Sequence, residues 1–324
     1  MTGRTGITVM GGVNADYYCR VGAFPEPGET VVAEELAVRY GGKGANQAVA
    51  AARMGASVRL LARVGNDAMG RGYAEHLVAN GVDATGVKAA DGFVTGTAFI
   101  TLDAGGENTI VAAEGANRSW RVEELEEYAG VIAESGVLLL QGEVPLEVNL
   151  RAIEIANAAG TLVMFNPSPW PNQFPWGERR VDILVVNEHE AGIFFAMPIT
   201  SLEDLRTCAD RAAARQVGAM MVTRGSGSTL ALSGSEVIEV PVRRVNPVDT
   251  VGAGDTFAGV LAAGILEAQA GKLGAEDVVW RANLAAALAI MKAGAQEGMP
   301  TLDELKEAMD AGEVVGLPVA PAQA

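Results

Sequence analysis

The segment Asp249-Thr250-Val251-Gly252-Ala253-Gly254-Asp255-Thr256-Phe257 sets three small residues between two carboxylates, directly ahead of an apolar helical run. Small residues at such a turn let backbone N–H groups converge on an anion, and the helix dipole adds to the attraction. Asp255, in the first helical turn, would stand beside that anion, where a carboxylate can take a proton from a hydroxyl. An ordinary helix start with a favourable acidic residue would carry the Asp as well. Three small residues flanked by two Asp are a costly way to build one.

A second signal is Gly41-Gly42-Lys43-Gly44-Ala45-Asn46-Gln47, where glycines again lead into a helix. A plain glycine-rich loop and cap is the competing reading. Lys43 and Asn46 are three apart and share one side of the first turn. With Asn14 and Asp16, just after the first strand, they make a polar, sugar-sized pocket, because amide, carboxylate and ammonium groups pair with hydroxyls. Motifs that are missing narrow the chemistry. There is no Gly-x4-Gly-Lys-Ser/Thr loop and no Gly-x-Gly-x-x-Gly fingerprint. Two histidines, His76 and His189, exclude a His-rich metal centre, and His76, inside a predicted helix, is read as a surface residue.

These residues need elements to hold them. Apolar strand-like runs at Ile7–Val13, Val58–Val64, Val137–Gln141, Leu162–Asn166, Ile183–Asn187 and Met220–Thr223 alternate with helical sequence at Ala45–Met54, Met69–Ala79 and Leu146–Ala158. Such alternation predicts an α/β fold with a doubly wound, mainly parallel sheet and helices on both faces. Two stretches, 28–40 and 94–115, are β-rich without helices: Thr30-Val31-Val32, Thr97 to Thr101 and Thr109 to Val111, with Asp103 to Glu107 as a turn. They predict a small separate sheet. Helices are expected at about Ala253–Ala270, Ala275–Lys292 and Leu302–Met309. The chain reads as a single domain over 1–315, with the small sheet formed by about 15–40 and 92–116, and a C-terminal tail at 316–324.

The 324 residues carry 24 basic and 40 acidic side chains, a formal charge of −16. That charge repels phosphate backbones and argues against nucleic-acid partners. Hydrophobic residues at 49% against 20% charged ones leave no case for disorder. No apolar run reaches the roughly 18 residues of a membrane helix, and no secretory leader opens the chain. Cys19 and Cys208 cannot make a disulfide framework. A cytoplasmic protein without a membrane partner is expected, and the sequon at Asn117 carries no meaning in that setting.

Taken together, Gly12-Val13-Asn14-Ala15-Asp16, Phe24 to Thr30, Gly41 to Ala50, Asn187-Glu188-His189-Glu190, Thr223-Arg224-Gly225-Ser226-Gly227 and Asp249 to Phe257 resemble the ribokinase (PfkB) family of carbohydrate kinases, from about Ile7 to Leu305. The resemblance implies a ribokinase-like fold whose small sheet is a lid that also forms a homodimer contact. It implies ATP-dependent phosphorylation of D-ribose at the 5-hydroxyl. Another sugar or a nucleoside as acceptor, or a non-catalytic binding protein on the same fold, are the alternatives. In that family's terms Asn14, Asp16, Gly42, Lys43, Asn46 and Glu143 would hold the sugar. Asp255 would be the general base, and Gly252, Ala253 and Gly254 the anion hole. Asn187, Thr223, Gly225, Ser226, Gly227 and Ser228 would face ATP, and Asn283 the adenine. Glu190 would organise Mg²⁺ through water. A monovalent activator, usually K⁺, would lie by Asp249, Val251, Ala289, Lys292 and Gly294, mostly on backbone carbonyls. Two departures stand out: Gly298 where a serine ligand is common, and Ser228 where the nucleotide loop usually ends in Gly. Gly298→Ser is therefore expected to tighten K⁺ activation. The Pro/Trp-rich segment 167–176 fits no motif and reads as a packed surface loop.

Overall fold

The computed structural model describes residues 4–105 and 107–311. The tail expected at 316–324, and the expected domain end at 315, lie outside them. In chain order, β1 (Ile7–Met10), β2 (Asn14–Arg20) and β3 (Glu35–Gly41) precede α1 (Lys43–Arg53), β4 (Val58–Gly65) and α2 (Ala68–Ala79). Then come β5 (Val82–Asp83), β6 (Val87–Ala90), β7 (Gly96–Leu102), β8 (Asn108–Ala113), α3 (Ala129–Glu134), β9 (Val137–Gln141) and α4 (Leu146–Ala159). They are followed by β10 (Leu162–Asn166), β11 (Val181–Asn187), α5 (Glu188–Phe195), α6 (Leu202–Thr207), α7 (Ala209–Ala214) and β12 (Val217–Thr223). The last elements are β13 (Thr229–Ser233), β14 (Glu236–Val240), α8 (Ala253–Gln269), α9 (Ala275–Ala289) and α10 (Leu302–Asp310).

The main sheet runs β14-β13-β12-β11-β10-β9-β1-β4-β5, with β6 also paired to β4. It is parallel from β12 through β5 and antiparallel only at the β12–β13–β14 edge. All residues of β1 and β9 are buried, which is why those segments are mostly apolar rather than alternating, with Thr8 and Gln141 the buried polar exceptions. Alternate residues feed two cores. Val9, Leu139 and Met164 pack with α1, α8 and α9 on one face. Met10, Leu138, Leu140 and Phe165 pack with α4 and α5 on the other. The edge strands β13 and β14 were not legible in the sequence.

The second sheet is the lid, ordered β3-β2-β7-β8. The segment Thr30-Val31-Val32 does not belong to it. Antiparallel pairing runs from Asn14↔Gly41 to Arg20↔Glu35, so β2 has ended before residues 30–32 could find a partner, and Val32 is left 84% exposed. Tyr18, Ala98 and Ile100 form a small cluster on the inner lid face. On the outer face the register lines up Val38, Tyr17, Phe99 and Val111, with Tyr17 and Phe99 stacked at 5.5 Å. Segment 167–176 is a packed loop: Trp170, Phe174 and Trp176 cluster with Phe165 and Phe194.

Candidate active site

The ends of β1, β2 and β9 and the starts of α1 and α8 meet in one place. Gly42 caps α1 at φ 88°, and a Cβ on it would fall 2.7 Å from the backbone of Gly12 to Asn14. Glycine therefore lets α1 begin against the β1–β2 turn. Gly252 caps α8 at φ 82°, with Ala295 Cα 2.8 Å from where its Cβ would be. The first amides of a helix lack intrahelical partners: in α1 the Lys43 N–H goes to the Glu143 carboxylate at 2.6 Å and the Ala45 N–H to Gly12 O at 3.1 Å, while at the start of α8 there is open space beside Gly254.

Asp255 is buried at 6% exposure and is held by two amides of α1. Asn46 Nδ2 donates to Oδ2 at 2.9 Å and Gln47 Nε2 to Oδ1 at 3.0 Å. Glu143, following β9, accepts from the Lys43 backbone N–H at 2.6 Å and from Asn14 Nδ2 at 3.4 Å. Asp16 is buried at 8% exposure on β2. Burial pushes its carboxyl up from 3.8 to about 7, with Glu143, Asp255 and Glu297 acting in the same direction and Lys43 against them. Burial likewise raises Glu143 from 4.5 to about 7, opposed first by Lys43. The Lys43 ammonium is held above its usual range by Asp255 despite its burial, with Glu143, Glu190 and Asp16 adding to the effect. One cation thus sits among four carboxylates, on a floor of amides. Such a surface suits a polyhydroxylated molecule and sets a carboxylate, Asp255, at the N-terminus of α8.

Three further residues that the sequence reading passed over belong here. Gln47 also donates to Asn166 at 3.0 Å and accepts from Gln141 at 2.8 Å. Asn117, noticed only as a sequon, is buried; it donates to Asn14 Oδ1 at 2.9 Å and accepts from the Val13 N–H. Gln296 donates to Asn46 Oδ1 at 2.8 Å. All three are uncharged amides in unremarkable local sequence, and only their position beside Gly-rich turns could have pointed to them.

A separate cavity of about 550 Å³ is lined by Ser226, Gly227, Ser228, Val242, Arg243, Arg244, Trp280 and Leu284. Gly225 turns the β12–β13 loop at φ 56°, and Gly227 N–H closes it on Arg224 O at 2.8 Å. The Ser228 hydroxyl is bound to Glu239 and Arg224, so a serine fits where glycine was expected. Asn283 lies beside this cavity, bonded to Pro241 of its lining, but its amide is committed to the protein. It is 3% exposed, accepts from Thr229 at 2.7 Å and donates to Val240 and Pro241 carbonyls at 3.2 Å. Trp280 and Leu284, four apart on α9, form the cavity wall instead. Asn187 and Glu190 make a reciprocal cap at the start of α5, at 2.8 and 2.9 Å. Glu190 keeps one carboxylate oxygen outside that cap.

The loops 247–251 and 289–298 are stitched together. Asp249 accepts from Val251 and Gly294 N–H at 3.0 and 2.9 Å, and Val248 N–H donates to Ile290 O at 2.7 Å. The carbonyls of Ala289 and Gly294 converge on Gly298, 2.4 and 3.0 Å from where a Cβ would stand. Carbonyl oxygens gathered in this way suit a large monovalent cation. They also mean that a serine at 298 would push into the cradle, which reverses the expectation for that substitution. The Lys292 side chain bonds Glu304 at 2.8 Å, so only its backbone could contribute. Among the described residues no group of three or more His, Cys, Asp or Glu side chains could hold a metal ion. A cavity of about 380 Å³ between the inner lid face and loop 247–251, touching Tyr18, Arg39 and Asp249, shows the lid standing over this region.

Residues 4–302 match the model of the pfkB family of carbohydrate kinases. The chain belongs to that family. It is 32% identical over 307 residues to a ribokinase of Haemophilus influenzae, covering 95% of this chain and 99% of the relative. It is 31% identical over 308 residues to a deoxyribokinase of Salmonella typhi, with 95% and 99% coverage. Among solved structures, an Arabidopsis thaliana ribokinase complexed with ribose and ATP superposes with a TM-score of 0.87 at 28% identity, covering 94% of this chain and 98% of that one. A ribokinase from Thermotoga maritima gives 0.82 at 31% identity. The doubly wound sheet with its lid is therefore the family's fold, and the chain is an ATP-dependent sugar kinase. No helix among the described residues is long and apolar enough to cross a membrane.

Proposed function

We propose that this kinase transfers the γ-phosphoryl group of ATP to the 5-hydroxyl of D-ribose. The observation that carries the reading is Asp255, an amide-clamped carboxylate at the N-terminus of α8, facing the pocket of Asn14, Asp16, Lys43 and Glu143. In this reading Asn14, Asp16, Gly42, Lys43, Asn46 and Glu143 bind the sugar hydroxyls. Asp255 takes the proton of the attacking hydroxyl as the P–O bond forms, which a carboxylate in hydrogen-bond reach does efficiently. The amides after Gly252, with Ala253 and Gly254, stabilise charge on the transferred group. ATP lies with its base in the cavity of Gly227, Trp280 and Leu284 and its phosphates toward Asn187, Thr223 and Ser226. Mg²⁺ arriving with the nucleotide would neutralise phosphate charge, and Glu190 would hold its water through the oxygen left outside the α5 cap. K⁺ would sit on the Ala289 and Gly294 carbonyls, beside the anion hole that Asp249 helps brace. The lid excludes water, which would compete as acceptor, and pairs two copies of the chain through its outer face.

The deoxyribokinases among the relatives make 2-deoxy-D-ribose the second reading, because their identity to this chain is the same as the ribokinases' to within a few per cent. The deciding experiment is a coupled ADP-release assay over ribose, 2-deoxyribose, fructose and nucleosides. A buried polar group left without its hydroxyl costs about 1–3 kcal/mol. Ribose should therefore exceed 2-deoxyribose in kcat/KM by roughly tenfold. Equal efficiency, or preference for 2-deoxyribose or a nucleoside, overturns the ribose assignment.

A further inference from the structure

His76, expected at the surface, is instead built into the support of Asp255. Its Nε2 lies 2.7 Å from Gln296 Oε1, and its ring stacks on Tyr40 at a centroid distance of 4.0 Å. Gln296 Nε2 reaches Asn46 Oδ1 at 2.8 Å, and Asn46 Nδ2 reaches Asp255 at 2.9 Å. Four side chains from α2, the 293–299 loop, α1 and α8 thus form one unbroken line.

The line has only one polarity. An ionised carboxylate accepts and never donates, so Asn46 must turn its NH₂ toward Asp255 and its oxygen toward Gln296. Gln296 then presents NH₂ to Asn46. That NH₂ spends its second proton on the Tyr73 hydroxyl at 3.0 Å, and Tyr73 passes its own proton to Gly41 O. The remaining Gln296 oxygen faces His76 and can only accept. His76 must therefore carry its proton on Nε2. Asn80 bears on the same nitrogen: its oxygen receives two bonds from Arg53, at 2.8 and 3.2 Å, one of its N–H groups donates to His76 O at 2.9 Å, and its Nδ2 lies 3.3 Å from Nε2, a longer contact that would favour a bare Nε2 and that yields to the Gln296 oxygen at 2.7 Å.

We propose that His76 is a positioning residue for the phosphoryl-transfer step, acting as the fixed Nε2–H donor that orients Gln296 and, through Asn46, the Asp255 carboxylate. Arg53 holds the Gln296 backbone carbonyl at 2.7 Å, so the main chain of the loop is fixed independently. What His76 adds is the orientation of the Gln296 amide. If it turned over, it would present oxygen to oxygen at Asn46, and the Asn46 amide would lose the restraint that keeps its NH₂ on the base. The stacking on Tyr40, two residues before Gly42, ties the same histidine to the last turn of lid strand β3.

The inference rests on Asp255 being the ionised base, and the test separates the two. The chain has two histidines, and His189 is exposed, so ¹⁵N-histidine NMR of the intact protein gives one resolved signal set for His76. The expected result is the Nε2–H tautomer; an Nδ1–H tautomer overturns the proposal whatever the kinetics show. In the coupled assay, His76→Leu, which keeps bulk but removes the donor, should lower kcat by about 3–10-fold, the loss of one neutral hydrogen bond, with KM for sugar and ATP held within about twofold. His76→Gln, whose amide can donate over a similar reach, should restore most of it. Equal losses in both variants, or no loss in His76→Leu, refute the positioning role while leaving Asp255's assignment standing. Should His76→Leu fail to fold, the tautomer and the Gln variant decide. Failure of the base assignment itself shows as an active Asp255→Asn enzyme, independently of His76.

Discussion

Replacing Asp255 by Asn tests the chemistry most directly, and the structure sets its size. Both carboxylate oxygens accept from amide donors, Asn46 Nδ2 at 2.9 Å and Gln47 Nε2 at 3.0 Å. An Asn at 255 has one oxygen and one NH₂, so one of those contacts becomes donor against donor. The substitution therefore removes the base and one buried hydrogen bond together. Loss of general-base catalysis is worth about 10²–10⁴ in kcat, or roughly 3–5 kcal/mol of barrier. The mismatched contact costs about 1–3 kcal/mol of stability, a melting shift of several degrees at the roughly 2–4 °C per kcal/mol of larger domains. ATP binding, proposed at the separate cavity of Gly227 and Trp280, should change little. The assay is coupled ADP release at saturating sugar and ATP, beside calorimetric titration of ATP and a melting curve. A variant that keeps more than half of the wild-type kcat refutes the base. One that loses ATP binding as well refutes the separation of the two sites.

Three other outcomes are expected. Asp16 and Glu143, both raised to about 7, hold protons in the folded protein that the unfolded chain has released. Stability of the ligand-free enzyme should therefore fall as pH rises from about 4 to about 7. Sugar hydroxyls donate to these carboxylates and favour their charged forms, so sugar binding near pH 6.5 should release protons. Titration heats that do not vary with buffer ionisation enthalpy would contradict this. K⁺ should raise activity above Na⁺, and Gly298→Ser should weaken that activation, because its Cβ would stand 2.4 Å from the Ala289 carbonyl; tighter activation in the variant would show that the cradle is drawn wrongly. The outer lid row with Val38 46%, Phe99 52% and Val111 67% exposed should join two chains, so Phe99→Glu should convert a dimer into a monomer by light scattering. A wild-type monomer at working concentration would count against the lid contact.

Sequence alone determined the elements whose period or composition is self-sufficient. Strands β9 and β10 were legible to the residue because a strand with a buried centre is a continuous apolar run, closed in each by a single amide, Gln141 and Asn166. The helices α1 and α8 were legible because glycine turns announce where they start. Asp255, Lys43, Asn14 and Asp16 were legible because charge and amide groups beside such turns have few other uses. The edge pair β13–β14 and the short partner of β4 were not, since edge strands are short and half polar. Thr30 to Val32 has strand composition and no strand, because pairing depends on where β2 stops, a fact of register rather than propensity. The same limit applies inside the site. Gln47, Asn117 and Gln296 are chemically ordinary amides, and His76 lies on a helix face that looks exposed until the 293–299 loop folds over it. Their roles come from which hydrogen-bond partners they face, and those partners lie more than 100 residues away along the chain. Local sequence encodes the turns that carry the reacting groups. The orientation of those groups is decided only when distant amides are brought within 3 Å of them.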